Sequence, residues 1–418
     1  MILYIIIFII GDNYMSLYAI HEEIFPTEEQ EKQIWQFFGA CRFIYNYMLK
    51  RNKKIYARRK EKTMSYNKMQ NLLPKLKEVF SWLKSIDACA LQHSCRNLSN
   101  AYHKFFIEQA KKPKYKPRKS SYQSYTTNGL KPNHITREYI QLPIIGKVKW
   151  YISRDINNIK VSPTISYKNG KYFVSIVMER KDNDKVFVKN DDKVIGLDYK
   201  SDGLYVDNFG NCCNMPDFYR RSQKRLKRLQ RRLSKTLESH IIGYTNRRKP
   251  IYDRKLSSLK NYQKQSSKVA KFSEHVANQR KDFLHKESTA IAKQYDLICV
   301  ENINMQELSS NKFKNGKYTI KMGKATLDNG YGMFLNMLEY KLKHLGKELI
   351  KIDKYFPSSQ LCSNCGHINH EIKDLKIRKW TCLHCSKEHD RDINSAINIR
   401  NEGLRIYLAK QKLELNPS

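Results

Sequence analysis

Four cysteines near the C-terminus carry the most specific chemistry in the chain. Cys362-x-x-Cys365 and Cys382-x-x-Cys385 are separated by sixteen residues. Two close thiol pairs supply the four soft ligands of a tetrahedral Zn²⁺ ion, and with no open coordination position that ion is structural. His367, His370, His384 and His389 lie alongside and read as surface or supporting residues. The run His389-Asp390-Arg391-Asp392 follows at once, and a carboxylate there suits a hard cation such as Mg²⁺ or Mn²⁺. Two more acids close apolar runs far upstream, Asp198 after Val194-Ile195-Gly196-Leu197 and Glu301 after Leu297-Ile298-Cys299-Val300. Singly, each has a plainer use: Asp392 could N-cap a helix over Ile393–Arg400, and the other two could be solvated strand ends. Jointly, Asp198, Glu301 and Asp392 would hold two divalent ions about 4 Å apart, activating a water and stabilising the leaving oxygen of a phosphodiester. Crowded carboxylates need such cations to offset their repulsion. Asp390 competes with Asp392, which is preferred because Asp-x-Asn-Ser-Ala-x-Asn-Ile starts a helix.

The partner is indicated by charge. Among 418 residues, 78 Lys and Arg face 40 Asp and Glu, a formal net charge of +38. A polyanion relieves that self-repulsion and gains affinity through counterion release, so nucleic acid is expected. Met1–Ile10 is too short to span a bilayer and has no basic residue before it, so no membrane partner is expected. Residues 1–14 read as an apolar extension ahead of a domain that starts at Met15. The six remaining cysteines show no framework spacing, which fits a reducing cytoplasm, with nucleoid association in a prokaryote.

The elements that must position these groups follow from periodicity. Ser16–Phe25 reads as a strand, and Thr27 with Gln30 as a capping box opening a helix that carries Ile34, Phe37, Phe38, Cys41, Ile44, Tyr45 and Met48. Further helices are expected over Tyr66–Leu73 and Ala88–Gln109. Lys111–Lys119 is basic, aromatic and interrupted by Pro113 and Pro117, so it cannot continue a helix but can track phosphates through Lys112 and Lys114. Strands over Ser121–Thr127, Tyr139–Leu142, Lys147–Ile152, Ile159–Ser166 and Tyr172–Met178 suggest a small β-barrel, with the helical block inserted in it. A second domain opens near Lys193 with strand, hairpin, helix, strand, helix, strand, helix, the order of an RNase H-like α/β fold. Its first and fourth strands run adjacent and parallel, so their acids meet. Arg221, Arg225, Arg228 and Arg232 form a basic face against a stripe of Leu226, Leu229, Leu233 and Leu237. A helix with Val269, Phe272, Val276 and Phe283 completes a helical hairpin. Ser309–Gly330 reads as a mobile loop.

These stretches resemble TnpB, the OrfB-type protein of the IS200/IS605 and IS607 insertion sequences, which is related to the type V CRISPR effector nucleases. The matching segments are Phe43–Tyr47, Ser124–Asn128, Ile195–Asp198, Asn278–Lys286, Val300–Ile303, Ser359–Gly366 and His389–Ala396. They run in the family's order over most of the chain, which no single motif matches in specificity. The resemblance implies a multidomain α+β chain: a wedge-type β-barrel (15–26 and 111–190), a helical recognition block (27–110), a RuvC nuclease domain (191–354 and 387–418) and a zinc ribbon (355–386). It implies Asp198, Glu301 and Asp392 as the RuvC triad, the four cysteines as ribbon ligands, and Thr127 and Asn128 as contacts to a short target-adjacent motif. It also implies a guide RNA, double-stranded target DNA and a separate transposase encoded nearby. Arg391 is a candidate phosphate contact. Tyr199-Lys200-Ser201 departs from the Leu-Gly type of turn in many relatives, without removing an acid.

An RNA-guided DNA endonuclease is therefore the leading reading. A nuclease-silent nucleic-acid-binding regulator would be favoured by loss of an acid, and all three are present. A transposase or transposase accessory protein is the third. A relaxase needs two histidines flanking one apolar residue, and none of the 12 histidines has that spacing.

Overall fold

The computed structural model describes residues 15–418 apart from 59–62, 119, 129, 131, 153–161, 189–190, 247, 306–312, 315–316, 319–327, 375 and 416–418. The apolar extension over 1–14 and most of the expected loop over 309–330 thus lie outside the described residues. The chain divides into two compact units between Lys181 and Asp182. The division falls before the expected boundary at 190/191 because the intervening segment is bonded to the second unit. The Asn183 N–H donates to His344 O at 3.0 Å and the Val186 N–H to Gly346 O at 2.7 Å.

In the first unit, β1 (Met15–Phe25) leads into α1 (Glu28–Arg58). The capping box is formed in both directions: Gln30 N–H donates to Thr27 Oγ1 at 3.4 Å, and Thr27 N–H donates to Gln30 Oε1 at 3.1 Å. One face of α1 buries Ile34, Phe37, Phe38, Cys41, Ile44, Tyr45 and Met48, the periodicity read from sequence. The expected helix 66–73 is instead two, α2 (Tyr66–Gln70) and α3 (Leu73–Val79), because Pro74 can start a helix but cannot continue one. Asp87 accepts from Cys89 and Ala90 N–H to cap α4 (Ala88–Phe106).

Strands β2 (Tyr122–Thr126), β3 (Tyr139–Leu142), β4 (Gly146–Trp150), β5 (Thr164–Lys168) and β6 (Lys171–Lys181) join β1 in an antiparallel sheet of order β2-β5-β6-β1-β4-β3. Ile24 pairs with both Tyr172 of β6 and Trp150 of β4, so the sheet curls around β1. Among the described residues it stays open between β2 and β3, a curled sheet where a closed barrel was expected. Trp150, Phe37 and Phe38 are fully buried in the core shared by helices and sheet.

The basic segment after α4 does not stand free. It is strapped along α1: Asn46 Nδ2 donates to Lys116 O at 2.9 Å and Lys116 N–H to Asn46 Oδ1 at 2.8 Å. The Lys112 and Lys116 ammonium groups sit over Tyr56 and Tyr45 at 4.1 and 4.4 Å.

The second unit has a five-stranded sheet of order β15-β12-β7-β8-β9. Its strands are β7 (Val194–Tyr199), β8 (Tyr205–Asp207), β9 (Cys212–Cys213), β12 (Leu297–Glu301) and β15 (Glu348–Ile352). β7, β12 and β15 are parallel, while β8 and β9 fold back antiparallel. Between β9 and β12, α5 (Phe218–Glu238) and α6 (Lys260–Gln294) form a helical arm tipped by the β10 (Ile241–Tyr244) and β11 (Pro250–Tyr252) hairpin. No residue of α5 is fully buried, but its leucine stripe is half covered while its arginines are exposed, and α5 packs along α6 as the expected helical hairpin. Two short strands, β13 (Phe313–Lys314) and β14 (Lys317–Tyr318), pair with each other before α7 (Tyr331–His344). A cysteine module follows β15, with β16 (Lys379–Thr381) paired to β17 (Glu388–Asp390), and α8 (Arg391–Leu415) comes last.

Both faces of the sheet are covered, which explains why β7 and β12 read as unbroken apolar runs. Ile195, Leu197, Ile298 and Val300 pack with residues of α6 and α7; Val194, Leu297 and Cys299 pack with Ile399 and Tyr407 of α8. α8 lies against backbone itself. A Cβ on Gly196 would stand 2.2 Å from Ala396 O, and one on Gly403 would stand 2.3 Å from Cys299 Sγ. Gly196→Ala should therefore destabilise the second unit by about 3 kcal/mol, since overpacking at this site meets main chain that cannot swing aside. Urea unfolding within about 0.5 kcal/mol of wild type would refute a backbone-to-backbone contact.

Candidate active site and metal centre

Strand alternation sends every second side chain to one face. On β7, Gly196 and Asp198 share the face that α8 covers; on β12, Leu297, Cys299 and Glu301 do. The parallel register pairs Leu197 with Val300, so Asp198 and Glu301 come next to each other one step on, at the carboxyl ends of both strands. The first turn of α8 adds Asp392. All three line one cavity of about 570 Å³ together with Ser358, Arg378, Arg391 and Ser395.

The site is electrostatically tense. Burial, then the charges of Glu301 and Asp392, push the Asp198 carboxyl well above the ordinary carboxylate range, against the Ser395 hydrogen bond and the Arg391 charge. Burial raises Glu301 as well, opposed by its hydrogen bond from the Ser358 hydroxyl. Arg378 Nη1 reaches in from the cysteine module to Asp392 Oδ1 at 3.1 Å. The Tyr331 hydroxyl, buried close enough to feel both Asp198 and Glu301, has no hydrogen-bond partner among the described residues. Three crowded carboxylates, whose mutual repulsion and burial outweigh the nearby arginines at Asp198, offer oxygen ligands that fit hard divalent ions such as Mg²⁺ or Mn²⁺. Asp390 has a different duty. Its Oδ1 accepts from the N–H groups of Asp392 and Ile393 at 3.0 and 3.2 Å, so it is the N-cap of α8 and Asp392 is left to face the cavity.

The sulfur atoms of Cys362, Cys365, Cys382 and Cys385 all lie within 4.8 Å of one another. Cys365–Cys382 and Cys362–Cys385 stand 3.6 and 3.7 Å apart. Ligands about 2.3 Å from a tetrahedral ion are separated by about 3.8 Å, so the cluster has the dimensions that Zn²⁺ requires. Each pair forms the same tight knuckle. Gly366 N–H donates to Cys362 O and Ser386 N–H to Cys382 O, both at 2.9 Å, with φ of +75° and +57° at the turning residues. The Asn364 amide and backbone N–H groups hold the Cys385 thiol down at about 6, favouring the thiolate that binds metal. His389 Nε2 lies 3.1 Å from Cys362 Sγ, its ring against Trp380.

Hydrogen bonds connect the two centres. Asn394 Nδ2 donates to Leu361 O at 2.7 Å, and Asn398 Nδ2 donates to Ser358 O at 2.8 Å and Leu361 O at 2.6 Å. Sequence reasoning missed Arg378, Ser358, Asn394 and Asn398. The two asparagines, four apart on one helix face, were the only available signal.

The other expected contacts are placed as follows. Arg221, Arg225, Arg228 and Arg232 are exposed along α5, with Arg225 over Phe272 at 4.6 Å. Lys114 is exposed and Lys112 is held by Tyr56. In the first unit, Thr127, an expected contact to the target-adjacent motif, is buried with its hydroxyl donating to Asp87. Asn128 is exposed beside His93, at 2.8 Å. Arg391 is only 7% exposed and Nη1 donates to Asp374 O at 2.6 Å, whereas Arg378, also lining the cavity, is exposed.

Two predictions follow from this geometry. Cys382→Ser should lose most of its zinc, and metal analysis still finding about one zinc per chain would overturn the ligand set. A carboxyl whose folded pKa is raised contributes stability that is present at low pH and lost as pH rises through that pKa. Metal-free Asp198→Asn should accordingly melt above metal-free wild type at pH 8, by about 2 °C or more, with the gap closing toward pH 5. A wild type that melts higher at pH 8 contradicts the burial account.

Comparison with known proteins gives a consistent lineage. The OrfB_IS605 family model, described as "Probable transposase", matches residues 175–312. The IS605 OrfB "Helix-turn-helix domain" model matches 15–61, where this structure has a strand and one long helix. The "Cas12f1-like, TNB domain" model matches 331–399. A Streptomyces pristinaespiralis protein, named provisionally as an RNA-guided DNA endonuclease, is 29% identical over 396 residues, covering 92% of this chain and 89% of that protein. Escherichia coli K12 InsQ, provisionally named likewise, is 28% identical over 396 residues, 93% and 92% of the two chains. The fold resembles that in a Cas12f1–sgRNA–target DNA complex, with a TM-score of 0.52 at 14% identity, over 90% of this chain and 83% of that one. No helix among the described residues is long and apolar enough to cross a membrane. By its matched segments and its near-full-length relatives, the chain resembles TnpB, the OrfB-type proteins of IS605-class insertion sequences.

Proposed function

We propose that this protein is an RNA-guided, divalent-metal-dependent DNA endonuclease that cuts double-stranded DNA beside a short target-adjacent motif. The observation that carries the reading is the convergence of Asp198, Glu301 and Asp392, from two parallel strands and a distant helix, on one cavity. In this reading the second unit is a RuvC-type, RNase H-like nuclease over 191–354 and 387–418, with a zinc ribbon over 355–386. The curled sheet is the wedge (15–26 and 111–190), and 27–110 the recognition block. A net charge of +38 supports a polyanionic partner, and the naming of the relatives as RNA-guided DNA endonucleases supports guide RNA and target DNA.

Mg²⁺ or Mn²⁺, when bound, supplies an activated water and charge stabilisation for an in-line displacement at phosphorus. The protein's own contribution is positional. Asp198 and Glu301 are fixed by β-register and Asp392 by the N-cap at Asp390, so three oxygen donors are held with little freedom to reorganise. The Ser358 hydroxyl orients Glu301. Arg378, 64% exposed, occupies Asp392 and can exchange that carboxylate for a phosphate oxygen. Sequence selection falls to base pairing with the guide, while the protein reads backbone shape and the short motif.

Asp198→Ala, Glu301→Ala and Asp392→Ala should each reduce plasmid cleavage by about 10³-fold or more while guide-RNA affinity stays within about twofold. Cleavage by any of them near the wild-type rate removes that acid from the triad. RNA that copurifies with the chain, once sequenced, identifies the guide; a chain that carries none and cuts unguided defeats the proposal.

A further inference from the structure

A second site lies in the first unit, on a face of α1 that the nuclease reading does not use. Trp35, Gly39 and Arg42 stand at i, i+4 and i+7, one above another on the helix. With Arg118 of the basic strap they line a cavity of about 460 Å³. Among the described residues neither guanidinium has a carboxylate partner. Arg42 Nη1 donates to Gln123 Oε1 at 3.5 Å, and its pKa is lowered by burial and then by Arg118. Two like charges sharing a cavity repel each other unless an anion comes between them.

Gly39 has no conformational reason to be glycine: it lies inside a 31-residue helix and lacks a positive φ. Crowding does not require it either, since a Cβ there would meet only the tip of Arg42, at 3.9 Å. Glycine weakens a helix interior, and what it leaves here is open space beside two cations. Trp35 bounds that space. Its Nε1–H donates to the Tyr172 hydroxyl at 3.0 Å, and Phe38 and Tyr167 lie edge-on at 5.5 and 4.9 Å. The indole is therefore fixed, yet 39% exposed.

We propose that this cavity binds one nucleotide of a single strand, with its base against Trp35 over Gly39 and its phosphodiester between Arg42 and Arg118. An aromatic platform beside fork-shaped cations is the chemistry that holds unpaired nucleotides. The site rests on nucleic acid being the partner but not on cutting, so it is tested on full-length protein carrying Asp198→Ala. Fluorescence anisotropy with a short single-stranded RNA and the matching DNA, over a salt series, separates the two contributions. Arg42→Gln and Arg118→Gln should each weaken binding and flatten the log–log salt slope by about 0.7, the value for one single-strand phosphate. Trp35→Leu should weaken binding about tenfold with the slope unchanged. Gly39→Gln should block the site, while Gly39→Ala keeps a folded, competent helix as the control. Preference for RNA identifies the strand as guide, and preference for DNA identifies it as target; both support the site. Unchanged affinity and slope in the arginine variants, at wild-type melting temperature, overturn it even if cleavage by the parent protein is confirmed.

Discussion

The second unit depends on how closely one helix can approach a sheet. α8 touches β7 and β12 at two places where a side chain has been dispensed with, Gly196 on the strand and Gly403 on the helix. Dispersion falls steeply with distance, so contact at this range aligns the helix firmly on the sheet. Asp198 is two residues beyond Gly196 and Asp392 four residues before Ala396. The same contact that seats the helix therefore fixes the spacing of carboxylates that are 194 positions apart in the chain.

Opposing forces meet at this point. Burial and mutual repulsion disfavour the charged acids, yet the backbone leaves them no room to separate. Hydrogen bonds from the start of α8 to Ser358 and Leu361 tie the acids to the cysteine module, and the module returns Arg378 to Asp392. The cysteine cluster thus supports the frame on which the three acids are assembled. Preorganised donors of this kind do their electrostatic work without paying for rearrangement at the moment of reaction.

Much of this was legible because it is periodic or locally specific. Buried runs ending in acids identified β7 and β12, the paired Cys-x-x-Cys motifs identified the module, and Thr27 with Gln30 identified the start of α1. What was hidden depends on long-range partners. Whether Asp390 or Asp392 caps the helix turns on where the cavity lies, and no spacing rule contains that. The phosphate role considered for Arg391 gave way to carbonyls of Asp374 and Ile377, which become neighbours only in the folded module. The strap after α4 reads as free basic chain because its attachments, Asn46, Tyr45 and Tyr56, lie more than fifty residues upstream. Where a barrel was expected, the sheet curls but stays open among the described residues, since curling shows in strand patterns while closure depends on whether two edges meet.

The dependence of the acid cluster on α8 has an evolutionary consequence. A gene copy cut short before Arg391 would lose the third acid and also uncover Val194, Leu297 and Cys299, which α8 shields. Such a product would be prone to degradation and could not persist as a stable, inert competitor for the same sites. Lineages that keep the scaffold while abandoning its chemistry should therefore arise by substitution at the acids, with α8 intact.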